Sequence, residues 1–218
     1  MLIAKELCKS YDQYMIINDV NLRINKGEMV AIMGPSGAGK TTLLYLLSSL
    51  EKPDSGFVEI DGIDLSKLQG KTLAEFRNKK VGFVFQFHNL LPEFTLFENI
   101  CIPGYIGGCA KKEVEKKANE LLCLLGIDHR NNHLPSEISG GERQRAAVAR
   151  ALINSPSIVF ADEPSGSLDL KNASMLHEVF LHLCKSFKQT FVFVTHNQSL
   201  AAIADRICTL QDGVIQSP

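Results

Sequence analysis

Apolar residues fall along this chain in two textures. Compact runs of strand length occur at Leu2 to Leu7, Val20 to Ile24, Met29 to Met33, Phe57 to Ile60, Val81 to Phe85, Ile158 to Ala161 and Thr190 to Thr195. The runs at 29–33 and 158–161 are continuously apolar, as strands buried on both faces of a parallel sheet would be. Val81 to Phe85 reads as a candidate central strand. The second texture is helical: Val114, Ala118, Leu121, Leu122 and Leu125 share one face of 111–125, and Leu176, Val179, Phe180 and Leu183 share another. Gly126 supplies a C-cap signal to the first of these. Thr42 to Leu50 reads as a further helix. Ser139 is suited to N-cap one that runs through Arg143, Arg145, Ala147, Arg150 and Ala151. The polar segment Lys9 to Gln13 separates the first two strands, and Arg206 to Leu210 with Val214 to Gln216 flanks Asp212-Gly213 as a terminal hairpin. FHNLLPEFTLFENI, residues 87–100, fits neither texture. Its Phe87, Leu90, Leu91, Phe94, Leu96 and Phe97 sit among polar breakers and a proline, either packed inward or forming a docking surface.

With 218 residues, 45% of them hydrophobic, the chain is long and apolar enough for one large domain or two small ones. A formal net charge of −1 leaves no broad basic field, so nucleic acid is not expected as a partner. Six cysteines are scattered without a C-x-x-C pair and read as reduced, structural thiols. The start of the sequence does not read as a signal peptide, and no window holds the roughly 18 apolar residues of a membrane span. The expectation is a soluble, cytosolic chain whose membrane role, if any, comes through a partner.

Candidate chemistry centres on IMGPSGAGKTT, Ile32 to Thr42. Gly34, Gly39, Lys40 and Thr41 fit the phosphate-binding pattern G-x-x-x-x-G-K-[ST], with Pro35, Ser36, Gly37 and Ala38 between the glycines and Thr42 following. A strand before and a helix after are the context this motif requires. Backbone N–H groups of Gly37, Ala38 and Gly39 are expected to converge on phosphate oxygens, Lys40 to reach the β- and γ-phosphates, and the Thr41 hydroxyl to ligate Mg²⁺. Asp162 and Glu163 follow an apolar run. Two acids at a strand's end are costly without a cation, so Asp162 is expected to hold Mg²⁺ through water and Glu163 to act as general base. Ser139-Gly140-Gly141 is an anion site or a plain helix start, Tyr11 a base-stacking aromatic or a turn tyrosine, and His196 a phosphate contact or a structural histidine. His88, His129 and His133 lack the Cys or acid cluster of a metal site and suit turn or subunit-contact roles.

In chain order, Tyr11, the phosphate loop, Gln86, Ile138 to Glu142, Ile158 to Glu163, Ser167 to Asp169 and His196 resemble the motif series of ABC-type ATPases. The resemblance covers essentially the whole chain. It implies an α/β P-loop fold: a parallel-sheet core with an antiparallel β edge, about 1–86 and 154–218, plus a helical subdomain of about 87–153. It also implies ATP hydrolysis with Tyr11 stacking the adenine, Gln86 sensing magnesium and the lytic water, and His196 as γ-phosphate switch. Ser139, Gly140, Gly141 and Glu142 become a signature loop acting on a second copy, and Ser167, Leu168 and Asp169 a dimer-contact loop. The signature usually ends in Gln; here Glu142 adds a negative charge near a phosphate site.

FQFHNLLPEFT (85–95), GIDHRNNHLPSEISGGERQR (126–145) and ADEPSGSLD (161–169) narrow the resemblance to the lipoprotein-releasing ATPases, with Ser165 and Ser167 as departures. Macrolide-exporter and cell-division ATPases are the alternative. The narrower resemblance implies a homodimer on the cytoplasmic face of a bacterial inner membrane, peripheral through integral permease subunits. A short cytoplasmic helix of the permease would dock on residues 87–97. Soluble ABC proteins of translation or DNA repair usually carry fused cassettes, a coiled-coil insertion or a basic arm, for which 218 residues leave no room.

Overall fold

The computed structural model describes residues 1–216. Strands β1 (Leu2–Tyr11), β2 (Tyr14–Ile24), β4 (Ser55–Ile60) and β5 (Ile63–Asp64) form an antiparallel sheet in the order β2-β1-β4-β5. A second sheet runs β10-β9-β3-β8-β7-β6, with β3 (Met29–Met33), β6 (Val81–Val84), β7 (Ile158–Asp162), β8 (Thr190–Val194), β9 (Arg206–Gln211) and β10 (Val214–Gln216). All neighbours in it are parallel except the β9–β10 hairpin. The continuously apolar runs occupy its middle because helices and the antiparallel sheet cover both faces.

Alternation along each strand divides the core in two. Val30, Ile32, Ile158, Phe160, Val192 and Val194 face α1 (Lys40–Leu47) and the apolar side of the antiparallel sheet. Met29, Ala31, Val159, Ala161, Phe191 and Phe193 face Leu176, Phe180 and Leu183 of α6 (Leu170–Phe187), and their cluster extends into α3 (Leu96–Ile106), α4 (Lys111–Leu124) and α5 (Gly140–Leu152). Ala146, Ala147 and Ala149 let α5 approach its neighbours closely, and all three are fully buried. The remaining helices are α2 (Gly70–Lys80) and the short α7 (Gln198–Ala201).

Several expectations are corrected. Lys9 to Gln13 is not a polar connector: β1 and β2 continue through a Tyr11–Tyr14 pair, leaving Asp12-Gln13 as the turn. Val81 to Val84 is an edge strand rather than a central one, since it pairs with β7 alone; run length does not distinguish the two positions. The helix after the phosphate loop begins at Lys40 and ends at Leu47. Helices α2 and α3 have no counterpart in the sequence reading. The first buries only Phe76, and the second contains Pro103 and Gly104, although its Thr95/Glu98 capping box was a legible start signal. All six cysteines are free thiols; Cys101 and Cys208 are buried as structural thiols would be, whereas Cys109 and Cys123 are exposed.

Because β3, β7 and β8 are parallel, the loops that leave their C-terminal ends emerge on one side of the sheet. These are residues 34–39, 163–169 and 195–197. A cavity of about 560 Å³ lined by Leu121, Leu152 and Phe187 lies by the opposite strand ends, near Ser157 and Gln189, and contains none of the expected site residues. Among the described residues no helix is long and apolar enough to cross a membrane.

Candidate functional site

The phosphate loop closes tightly where Gly39 caps α1 at φ 91°, and a Cβ there would lie 2.8 Å from the Ile16 carbonyl oxygen. Only glycine meets both demands. The Lys40 ammonium donates to the carbonyls of Gly34 at 3.0 Å and Pro35 at 2.8 Å, so it lies over the loop. Thr41 Oγ1 donates to Asp162 Oδ1 at 3.2 Å, joining β3's loop to the end of β7. Burial, and then the charge of Glu163, raise the Asp162 pKa against the lowering effects of Thr41 and Lys40.

Glu163 sits at φ 44°, an uncommon region for a residue with a side chain. Its Oε1 lies 2.7 Å from His196 Nδ1 and accepts the His196 backbone N–H at 3.0 Å, while the Thr195 hydroxyl donates to Oε2 at 3.2 Å. The carboxylate is therefore held from the end of β8. Gln86 approaches from β6: a Cβ built on Gly166 would lie 3.7 Å from its Nε2 and 3.5 Å from Glu163 Cβ. Tyr11 is 44% exposed at the end of β1, and its hydroxyl donates to Glu51, which with burial raises the Tyr11 pKa. Thr42, in the first turn of α1, lies near the same hydroxyl and lowers that pKa in part.

Residues 139–142 lie elsewhere. Ser139 N-caps α5, and no hydrogen bond joins 139–142 to 34–42 among the described residues. Gly141 packs so closely on α6 that a Cβ would fall 2.1 Å from Asn172 Oδ1. Asn172 in turn donates to Asp169, the N-cap of α6, so residues 139–142 and 167–169 share one scaffold. Leu168 packs on the core, Ser167 is exposed, and Leu170, not singled out in the sequence, is 92% exposed beside them.

Contacts outside these motifs hold the 87–97 stretch against α5 and α3. His88 Nε2 lies 3.0 Å from the Gly140 carbonyl, and Arg150 donates to the carbonyls of His88 and Asn89. Buried Asn99 accepts from Leu91 N–H and donates to the carbonyls of Leu91, Phe94 and Thr95. That network decides the 87–97 stretch. Leu90, Leu96 and Phe97 pack inward, whereas Phe87, Leu91 and Phe94 point out, at 75%, 42% and 41% exposed.

Residues 17–166 match the model of the ABC transporter family. The chain belongs to that family. As an ABC-family member it is an ATP-binding, ATP-hydrolysing protein. It is 52% identical over 215 residues to the lipoprotein-releasing system ATP-binding protein LolD of Cytophaga hutchinsonii, covering 99% of this chain and 98% of that one. It is 51% identical to the LolD of Bacteroides thetaiotaomicron, covering 99% of each. Among solved structures, it resembles the ATP-binding cassette MJ0796 as a dimer bound to ADP and Pi, with TM-score 0.91 and 37% identity over 100% of this chain and 97% of that one. A second dimeric structure of MJ0796, a bacterial ABC transporter cassette, gives 0.92 and 38% with the same coverage.

The raised Asp162 pKa carries a stability consequence for this ABC ATPase. Ionised Asp162 costs folding free energy at neutral pH, because the fold holds its proton more tightly than the unfolded chain does. Asp162→Asn keeps an acceptor for Thr41 and removes the charge. Thermal melting without nucleotide should therefore show a higher Tm at neutral pH, and the gap should close as falling pH protonates Asp162. A lower Tm at neutral pH would contradict this.

Proposed function

We propose that this chain is the ATPase subunit that drives lipoprotein release from a bacterial inner membrane, docked on integral permease subunits at the cytoplasmic face. The observation that carries the reading is near-complete likeness, at about half identity, to proteins named for the lipoprotein-releasing system. That likeness favours it over the exporter and cell-division alternatives. In this reading 87–153 forms a helical unit that bears the docking surface and the signature loop, and the rest is the nucleotide-binding core.

The loop amides of 37–39 and Lys40 bind the phosphates, and Tyr11 stacks on the adenine. Thr41 and Asp162, hard oxygen donors one hydrogen bond apart, fit Mg²⁺, which takes few protein oxygens beside substrate phosphates. When bound, Mg²⁺ supplies charge neutralisation at the phosphates. Glu163 takes the proton of the attacking water, held in place by Thr195 and His196. Gln86 orients that water, and His196 reads the γ-phosphate. Ser139, Gly140 and Gly141 close the site from a second copy, consistent with the dimers formed by the MJ0796 cassette.

The exposed Phe87, Leu91 and Phe94 form the permease contact, held open by the Asn99 network. Leu91→Glu or Phe94→Glu should put an unpaired charge into that interface and weaken permease binding by roughly tenfold or more. Melting temperature and ATP binding of the isolated subunit should stay near the parental values, because both side chains are already partly in water. Unfolding of either variant would return the segment to the core and remove the docking reading.

The whole proposal is tested by purifying the tagged subunit from its own membranes and reconstituting the captured complex in lipoprotein-loaded vesicles. A co-purified permease and ATP-dependent release are expected. Capture without a permease, or release indifferent to ATP, would overturn it.

A further inference from the structure

Glu142, in the first turn of α5, is bound on both sides. Its Oε2 accepts the Ser139 N–H at 2.8 Å and the Ser139 hydroxyl at 2.7 Å. Its Oε1 accepts from Arg130 Nε at 2.9 Å, with His129 Nε2 at 3.5 Å. Burial alone would raise the carboxyl's pKa, but the Ser139 donors and Arg130 outweigh it and bring it to about 2. A full negative charge thus sits in the first turn of α5.

Two consequences follow from elementary chemistry. A serine hydroxyl has one proton, and while Glu142 accepts it Ser139 has none to donate to a phosphate. A carboxylate in this turn also repels a γ-phosphate brought by a second copy. Arg130 acts on both, because it binds the oxygen that Ser139 does not use. Its turn, Asp128–Arg130, is anchored on α3: Phe97 N–H donates to the Asn131 carbonyl and Leu96 N–H to the His133 carbonyl, both at 3.0 Å.

We propose that Arg130 is a positioning residue for ATP-driven pairing of two copies, acting through Glu142. Its charge offsets the carboxylate in the signature loop, so that the Ser139 hydroxyl can turn its proton to the γ-phosphate of the opposite copy. This rests on the reading that Ser139 serves a second copy.

The test is a double-mutant cycle on the full chain carrying Glu163→Gln to stop turnover, with ATP-driven pairing followed by sedimentation. Arg130→Gln retains a hydrogen-bond donor but no charge. It should weaken pairing about tenfold at low salt and less at high salt. With Glu142→Gln also present, the added cost of Arg130→Gln should fall below about twofold. ATP binding to single copies and the melting temperature report folding separately, and a merely structural Arg130 would change those instead. Equal cost in the two Glu142 backgrounds, or parental pairing by Arg130→Gln, overturns the proposal. If Arg130→Gln folds poorly, Arg130→Lys keeps the charge and must restore pairing; failure to do so also overturns it. Ser139→Arg is run alongside: normal ATP-driven pairing by that variant would remove the two-copy reading itself.

Discussion

Glu163→Gln is expected to bind ATP and to hydrolyse it about 10²–10⁴-fold more slowly than the parent. The amide is nearly the same size: with its oxygen at the Oε1 position it still accepts the His196 N–H, and its NH2 at the Oε2 position can donate to the Thr195 hydroxyl oxygen, so the loop after β7 should keep its shape. What it loses is the ability to take a proton from water. Binding and chemistry should therefore separate: phosphate release collapses while nucleotide binding persists, and pairs of ATP-loaded chains accumulate. Phosphate release at the parental rate would remove Glu163 from the role of base. The next group to test would then be His196, whose Nδ1 lies 2.7 Å from the same carboxylate.

An effect of similar size is expected from Lys40→Ala and Ser139→Arg, each inactive alone and partly active when mixed. Lys40 is the cation at the phosphate loop, and removing such a charge from a phosphoryl-transfer site costs on the order of 10²-fold or more. Ser139 has no hydrogen bond to that loop within its own chain, although it caps a helix whose N-terminus suits an anion. If each site combines one copy's Lys40 with the other's Ser139, a mixed pair has one site with both defects and one with neither. Random pairing of equal amounts would leave about a quarter of all sites intact by symmetry. Phosphate release by the pure proteins and by the mixture checks this. Parental activity in either pure protein would refute the shared site.

Much of this was legible in residues alone, and for identifiable reasons. Five continuous apolar residues at 29–33 and four at 158–161, too short for a buried helix, fit strands covered on both faces. The phosphate loop is equally self-declaring, because its geometry is local: adjacent amides, a glycine at positive φ and the first turn of one helix. Ser139 was readable as an N-cap because its partner, Glu142, is three residues away.

Partners distant in sequence had to be supplied by packing. Nothing in the order of residues indicates that Arg130 meets Glu142, that Thr195 holds Glu163, or that Gly141 is pressed against Asn172. Each contact joins separate elements, and its existence depends on how α5, α6 and the strand ends settle on one another. The mixed stretch at 87–97 makes the same point. Apolar content alone allowed core or surface, and the outcome turned on buried Asn99, whose four hydrogen bonds fix the loop so that Leu90 faces the core while Leu91 and Phe94 face water. Local chemistry is written in the sequence because its atoms are covalent neighbours. The hold on Glu163, the charge balance at Glu142 and the exposed aromatic face exist only once distant segments have been brought together, and so they belong to the tertiary structure.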